Sequence, residues 1–192
     1  MATATLPSGP IAQKQATDAH HAVWALLESV TDPEIPVVSL REMGILRAVR
    51  DSASGLEVVI TPTYSGCPAM GQMEDDVKTA LAQAGVVARV VTLLAPAWST
   101  DWMTPEARDK LRAYGIAPPP EGGVANACGH AALVNIVQFA PKRIAKHNLP
   151  VVACPQCGSG NTTETSHFGS TACKALYKCL DCLEPFDYFK PY

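Results

Sequence analysis

Residues 45–68 read Ile45-Leu46-Arg47-Ala48-Val49-Arg50-Asp51-Ser52-Ala53-Ser54-Gly55-Leu56-Glu57-Val58-Val59-Ile60-Thr61-Pro62-Thr63-Tyr64-Ser65-Gly66-Cys67-Pro68, and this stretch decides the fold. Two β-rich runs, Ile45 to Arg50 and Leu56 to Ile60, flank the polar, glycine-ended Asp51-Ser52-Ala53-Ser54-Gly55, which predicts a hairpin. A hydroxyl-rich loop, Thr61 to Gly66, then delivers Cys67 and Pro68 to a helix start. Proline suits the first helical position, and Met70, Met73, Val77, Ala80, Leu81 and Ala84 recur at helical spacing up to the Gly85 stop. Upstream, Val23, Leu26, Leu27 and Val30 predict a helix capped at Thr17 or Asp18 and ended by Pro33. Downstream, Val86 to Leu94 alternates as a strand, and a loop whose Trp98 and Trp102 read as core follows. Thr104-Pro105-Glu106 opens a short helix that Gly115 closes. The fold class is α+β, an α-β-β-α-β-α domain over residues 17–116, within the usual size of a single domain.

A chain of 192 residues with 47% hydrophobic content has room for this core and a second small unit. Residues 1–16, rich in Ala, Thr, Pro and Gln, read as a flexible tail lacking the basic and apolar regions of a signal peptide. Ala117-Pro118-Pro119-Pro120-Glu121-Gly122-Gly123 opens a linker and uncertain segment over residues 117–150. Ala131 to Phe139 there has strand character, and Cys128 stands alone beside His130. Such a linker is expected to let the second unit unfold without disturbing the first. The net charge of -3 removes the basic field that nucleic acid requires, and no apolar run approaches the roughly 20 residues of a membrane span. Neither a nucleic acid nor a membrane is expected as partner. No Glu-x-x-His pair of the di-iron kind and no Ser/His/Asp pattern occurs, so the chain reads as an accessory protein and not an enzyme.

Seven cysteines, four of them in two C-x-x-C pairs, point in a chain without an export signal to metal chemistry in a reduced cytoplasm. Cys154-Pro155-Gln156-Cys157-Gly158 is answered by Cys179-Leu180-Asp181-Cys182, with twenty-one residues between the pairs. Two such knuckles build a tetrahedral tetrathiolate site, for which zinc is the default occupant and iron or an iron-sulfur unit the alternative. Residues 151–192 hold few large apolar side chains, so this ribbon-like domain is expected to need its metal to fold.

Cys173 is spare once four ligands are counted. It reads either as a packed small hydrophobe or as a further thiolate favoured by Lys174 and Lys178. Cys67, at a helix start, is expected to have a lowered pKa, as a soft-metal ligand or nucleophile; a buried capping cysteine is the other reading. Asp32 and Glu34 flank Pro33 as a solvated turn or as carboxylates facing Cys67. His20, His21, His130, His147 and His167 lack ligand spacing. Of the tail aromatics, Phe186 reads as core. Tyr188 and Phe189 point to opposite faces of a strand, so one of them is expected to be free to meet a partner.

Asp32-Pro33-Glu34-Ile35-Pro36, Glu42-Met43-Gly44-Ile45 and Thr61 to Pro68 resemble the small iron-sulfur assembly domain of the SufT-like family. Phe168 to Tyr177 and Glu184 to Lys190 resemble the PaaD family, the D subunits encoded with phenylacetyl-CoA epoxidase. The resemblance implies an accessory factor that matures or inserts an iron-sulfur cluster in that epoxidase system during aerobic phenylacetate catabolism. Its implied partners are the epoxidase reductase, the oxygenase subunits and the iron-sulfur assembly machinery, with a homodimer left open. It also implies a transient iron-sulfur cluster at Cys67, with Asp32, Glu34, Thr61 and Thr63 around it. The metal ligands of the tail would be Cys154, Cys157, Cys179 and Cys182, with Cys173 as an extra sulfur. Residues 124–149 match no family motif. The alternative is an electron-transfer or structural subunit of the same monooxygenase, with redox-active iron at the C-terminal cysteines.

Overall fold

The computed structural model describes residues 18–120 and 151–192. The segment at 124–149, with Cys128, His130, His147 and the candidate strand Ala131 to Phe139, lies outside the described residues, as does the tail at 1–16. The elements are α1 (Asp18–Leu27), β1 (Leu46–Ser52), β2 (Gly55–Ile60), α2 (Met70–Gln83), β3 (Ala88–Thr92), a 3-10 turn (Thr100–Trp102) and α3 (Pro105–Ala113). β4 (Ile116–Ala117), β5 (Thr162–Ser166), β6 (Lys174–Cys179) and β7 (Pro185–Phe189) complete the order. The mixed α+β architecture matches the one expected. Helix α1 stops at Leu27, short of Pro33, because the chain turns there to bury Val30, Ile35 and Val38 instead of continuing the helical stripe.

β1 and β2 form the antiparallel hairpin, with Val49 opposite Val58, and β3 returns parallel to β2, with Val58 opposite Val90. The crossover between those parallel strands is α2, whose Met73, Val77 and Leu81 lie against Leu27, Met43, Ile45, Val58 and Ile60 in one core. Glu57 faces two guanidiniums, Arg50 beside it and Arg89 on β3, which balances a carboxylate buried on the sheet.

The second sheet has the order β4-β7-β6-β5. Sequence expectation placed residue 117 in the linker; in the structure Ile116 and Ala117 pair in parallel with Asp187 and Tyr188, so the strand leaving α3 enters the ribbon's sheet. Arg108 on α3 donates to the carbonyls of Thr100, Pro119 and Pro120, which ties the start of that segment to the first domain. On β7, Tyr188 packs with Ala117, Val152, Ala175 and Phe186 in the ribbon core. Phe189, pointing the other way, enters the first core and meets Trp98 edge-on at 6.0 Å. Both rings are buried, which corrects the expectation that one would be free: the second face of the strand is covered by the neighbouring domain. The same packing replaces the expectation of two separable cores.

Trp102 is also core, stacked under the Arg47 guanidinium at 3.4 Å. Gly44 makes this approach possible. Its φ is +71°, and a Cβ there would stand 2.6 Å from both the Cβ and the carbonyl oxygen of Trp102. Left-handed strain and a backbone clash add, so Gly44→Ala is expected to remove about 3 kcal/mol of stability. Thermal denaturation should show a drop of roughly 6–12 °C for a domain of this size, and an unchanged midpoint would refute the packing argument.

Candidate functional site

The four ribbon cysteines converge. Their sulfurs all lie within 4.8 Å of one another, with Cys154 to Cys182 at 3.7 Å and Cys157 to Cys179 at 3.6 Å. A tetrahedron with metal–sulfur bonds of about 2.3 Å has edges of about 3.8 Å, so the spacing is that of a tetrathiolate cage and fits a metal ion. Backbone amides support the sulfurs. The Cys182 amide donates to the Cys179 sulfur at 3.4 Å, and with the Asp181 amide it pulls the Cys179 thiol down to about 7 against the opposing effect of burial. Gly158, at φ +74°, closes the first knuckle by donating to the Cys154 carbonyl at 2.9 Å.

The second group of residues gathers at the mouth of α2. The helix begins at Met70 with Ala69 in the cap position, so Cys67 sits two residues ahead of the cap instead of at it. Its sulfur still receives the Ala69 and Met70 amides, which favour the thiolate. Burial outweighs them and, with the charges of Glu34 and Asp32, pushes the Cys67 thiol above the ordinary value of 9.0. The expected lowering of the Cys67 pKa at the helix start is therefore corrected to a rise, with burial as its largest cause.

Asp32 is buried, and its Oδ1 accepts the amides of Glu34 and Ile35 at 2.8 and 2.9 Å, the local turn foreseen in the sequence. Thr61 and Thr63 are buried in the chain's run from β2 to Cys67. Burial lifts both Asp32 and Glu34 above their usual carboxylate values, while the Lys174 ammonium draws both back down.

That lysine comes from the ribbon. Lys174 is buried, 3.5 Å from Asp187, and its charge reaches Asp32 and Glu34. Its neighbour Cys173 is not part of the metal quartet: it is buried in the first domain's core, and burial pushes its thiol up despite Thr171 and Lys174. Tyr192 stacks on Tyr64 at 6.4 Å, touches Trp98 at 6.3 Å and accepts the Thr100 amide. The ribbon thus covers the loop that carries Cys67. Sequence reasoning assigned Cys173 and Lys174 to the ribbon's own chemistry; the alternation Lys174-Ala175 against Tyr188-Phe189 on paired strands holds the signal that one face looks elsewhere.

Comparison with known proteins fits this two-part site. Residues 20–93 match the family described as iron-sulfur cluster assembly protein, and residues 138–190 match the PaaD zinc beta ribbon domain. The chain is 46% identical over 171 residues to the putative D subunit of the 1,2-phenylacetyl-CoA epoxidase from Escherichia coli K12, covering 88% of this chain and 92% of that protein. Among solved structures, a Bacillus anthracis domain of unknown function, DUF59, aligns at 30% identity and TM-score 0.44 over 48% of this chain and 90% of that one. A Mycobacterium tuberculosis protein associated with Fe-S complex assembly and repair aligns at 27% identity and TM-score 0.30 over 57% of this chain and 98% of that one.

Two outcomes follow from this geometry. Stripping the ribbon metal with a chelator, or Cys154→Ser, should unseat Phe189 and Tyr192 from Trp98 and shift tryptophan emission to the red. Trp98→Phe should abolish that shift, and an unchanged emission spectrum after verified metal loss would contradict the shared core. The raised Asp32 carboxyl means that the folded state holds its proton more tightly than the unfolded chain. This contribution to stability is complete below pH 3.8 and is lost as pH rises through the higher folded value. Asp32→Asn keeps an acceptor for the two amides and removes the charge. It should melt at a higher temperature than wild type at pH 7, with the difference vanishing below about pH 4 in calorimetry.

Proposed function

The chain belongs to the family of the 1,2-phenylacetyl-CoA epoxidase D subunits, and from that premise we propose that it is a cytoplasmic accessory factor that matures or inserts an iron-sulfur cluster in the epoxidase system. The client proposed is the reductase, with the oxygenase subunits and the general assembly machinery as further partners. One observation carries the reading: Cys67 is half-buried just ahead of α2, where burial, with the charges of Glu34 and Asp32, pushes its thiol up. A thiol with a raised pKa is a poor free nucleophile, whereas a soft cation displaces the proton and answers the surrounding negative charge. The residues around it suit a cargo that arrives and leaves. Two amides favour its thiolate, Asp32 and Glu34 act on it through their charges, and no further cysteine of the first domain stands by to close a permanent cage among the described residues.

The ribbon quartet is the contrasting case. Its four thiols satisfy a tetrahedral ion completely, so zinc is proposed there as a resident structural metal that keeps β5, β6 and β7 folded and seated.

Cys67→Ala should leave the fold and the ribbon zinc in place and reduce the cluster content of the reductase, purified from cells carrying the variant, to the level found without the protein. Full occupancy would remove Cys67 from the function. Iron with strong visible absorption in place of zinc at the ribbon, read by metal analysis of anaerobically purified protein, would move the reading to electron transfer.

A further inference from the structure

The two edges of the first sheet are built differently. β1 carries the usual defences of an edge strand. Its pairing with β2 shifts register between Leu46 and Ala48, Arg47, Arg50 and Asp51 lie along it, and His20 of α1 reaches Asp51 at 3.1 Å. β3, the opposite edge, has none of these. It pairs with β2 in unbroken register, and Val86-Val87-Ala88-Arg89-Val90-Val91-Thr92-Leu93-Leu94 holds one charged residue and neither glycine nor proline. That charge is directed inward, since Arg89 pairs with Glu57 on β2. At the two ends of the stretch, Val87 is 93% exposed and Leu94 57%. Among the described residues only β2 pairs with β3. Leu93 donates its amide to the Ile60 carbonyl at 2.9 Å, which fixes the alternation of the backbone: Arg89, Val91 and Leu93 turn their amides and carbonyls to β2, and Ala88, Val90 and Thr92 turn theirs outward.

We propose that β3 is the contact between two copies of this chain, paired antiparallel about a two-fold axis at Val90. The strand is its own complement. With Val90 opposite Val90, Ala88 of one copy faces Thr92 of the other, and these pairs exchange the outward amides and carbonyls. Val87 then lies opposite Leu93 and Val86 opposite Leu94, which covers both exposed ends. Arg89 meets Val91 and keeps Glu57 as its counter-charge, whereas a register centred one residue earlier would set Arg89 against Arg89. A free Arg89 would call for an acidic partner strand. Glu57 already answers that charge and the rest of the stretch is uncharged, which favours a strand of the same composition. Two three-stranded sheets thereby join into one of six strands, a common size, with the defended β1 at both outer edges, so assembly stops at two copies. The arrangement also places the Cys67 loops. β2 and β3 run parallel, so the chain leaving β2 for Cys67 starts at the C-terminal end of both. Antiparallel pairing sends the two loops to opposite ends of the doubled sheet, and each copy keeps its own sulfur. The interface is independent of what Cys67 holds.

The test is sedimentation equilibrium of the full-length protein over a dilution series, joined to residue-resolved hydrogen exchange. Wild type should read twice the chain mass of 20.3 kDa and fall toward one copy on dilution. Val87→Lys and Leu94→Lys, each at an exposed position, should read one copy where wild type reads two, with unchanged circular dichroism. Val151→Lys, at an exposed apolar position of the ribbon, should leave the dimer intact. The amides of Ala88, Val90 and Thr92 should be protected in concentrated wild type and exchange faster on dilution and in Val87→Lys. Should one lysine variant lose its circular dichroism, the other variant and the three amides decide. A single copy throughout the series overturns the proposal, as does a dimer that the folded lysine variants retain. Protection of the three amides that does not change with concentration, the mark of some other strand on this edge, overturns it too.

Discussion

The edge-to-face contact of Phe189 with Trp98 is the constraint from which the rest of the molecule follows. Trp98 is held from the other side by its indole N–H, which donates to the Met43 carbonyl at 3.0 Å, so the ring is an anchor of the first core that offers one face outward. Phe189 fills that face. Because strand geometry sends Tyr188 the opposite way, one dipeptide serves two cores. The ring contributes roughly 2–3 kcal/mol of burial, a large share of the stability of a small domain, so the seam and the ribbon are coupled energetically as well as spatially.

Closure defines the electrostatics of the candidate site. Asp32, Glu34, Cys67 and Cys173 each titrate above their ordinary values, and for every one of them burial is the largest cause. A loop exposed to water would show the opposite for Cys67, since the Ala69 and Met70 amides pull its thiol down. Burial outweighs the helix-start amides at Cys67 and pushes its thiol up, which suits the cation-binding role proposed above. Desolvation makes ionised Asp32 and Glu34 costly to the fold, which suits the transient cargo proposed above.

Much of this was legible in the chain, and the reasons are local. The β1–β2 hairpin, the α2 stripe of Met73, Val77 and Leu81, the Thr104-Pro105 cap of α3 and the two knuckles are each written within a few adjacent residues, where period and turn chemistry suffice. The seam was not. Alternation in Phe186-Asp187-Tyr188-Phe189 says that two faces exist, and nothing in a linear pattern says that the second is covered by a tryptophan some ninety positions earlier. The same gap accounts for Cys67 and Cys173. Their thiol chemistry was judged from neighbours in sequence, Pro68 for one and Lys174 for the other, whereas burial in the folded chain is the largest influence on both. The local placement of the loop was readable; its closure was a long-range property.

The parallel pairing of Ile116 and Ala117 with β7 also sets an order in time. A ribosome that has finished Ala117 must add roughly 70 more residues before Phe189 exists, which at typical elongation rates takes about 4–15 s. Throughout that interval the nascent first domain carries a short unpaired strand and a bare Trp98, and the Cys67 loop stands open to the solvent. With the structural metal proposed above, the lid then arrives as a four-thiol fragment that folds when it captures its ion. On that reading, availability of the ion during synthesis sets how long the sulfur of Cys67 remains open to oxidants, so that metal supply acts as a clock on the quality of the newborn protein.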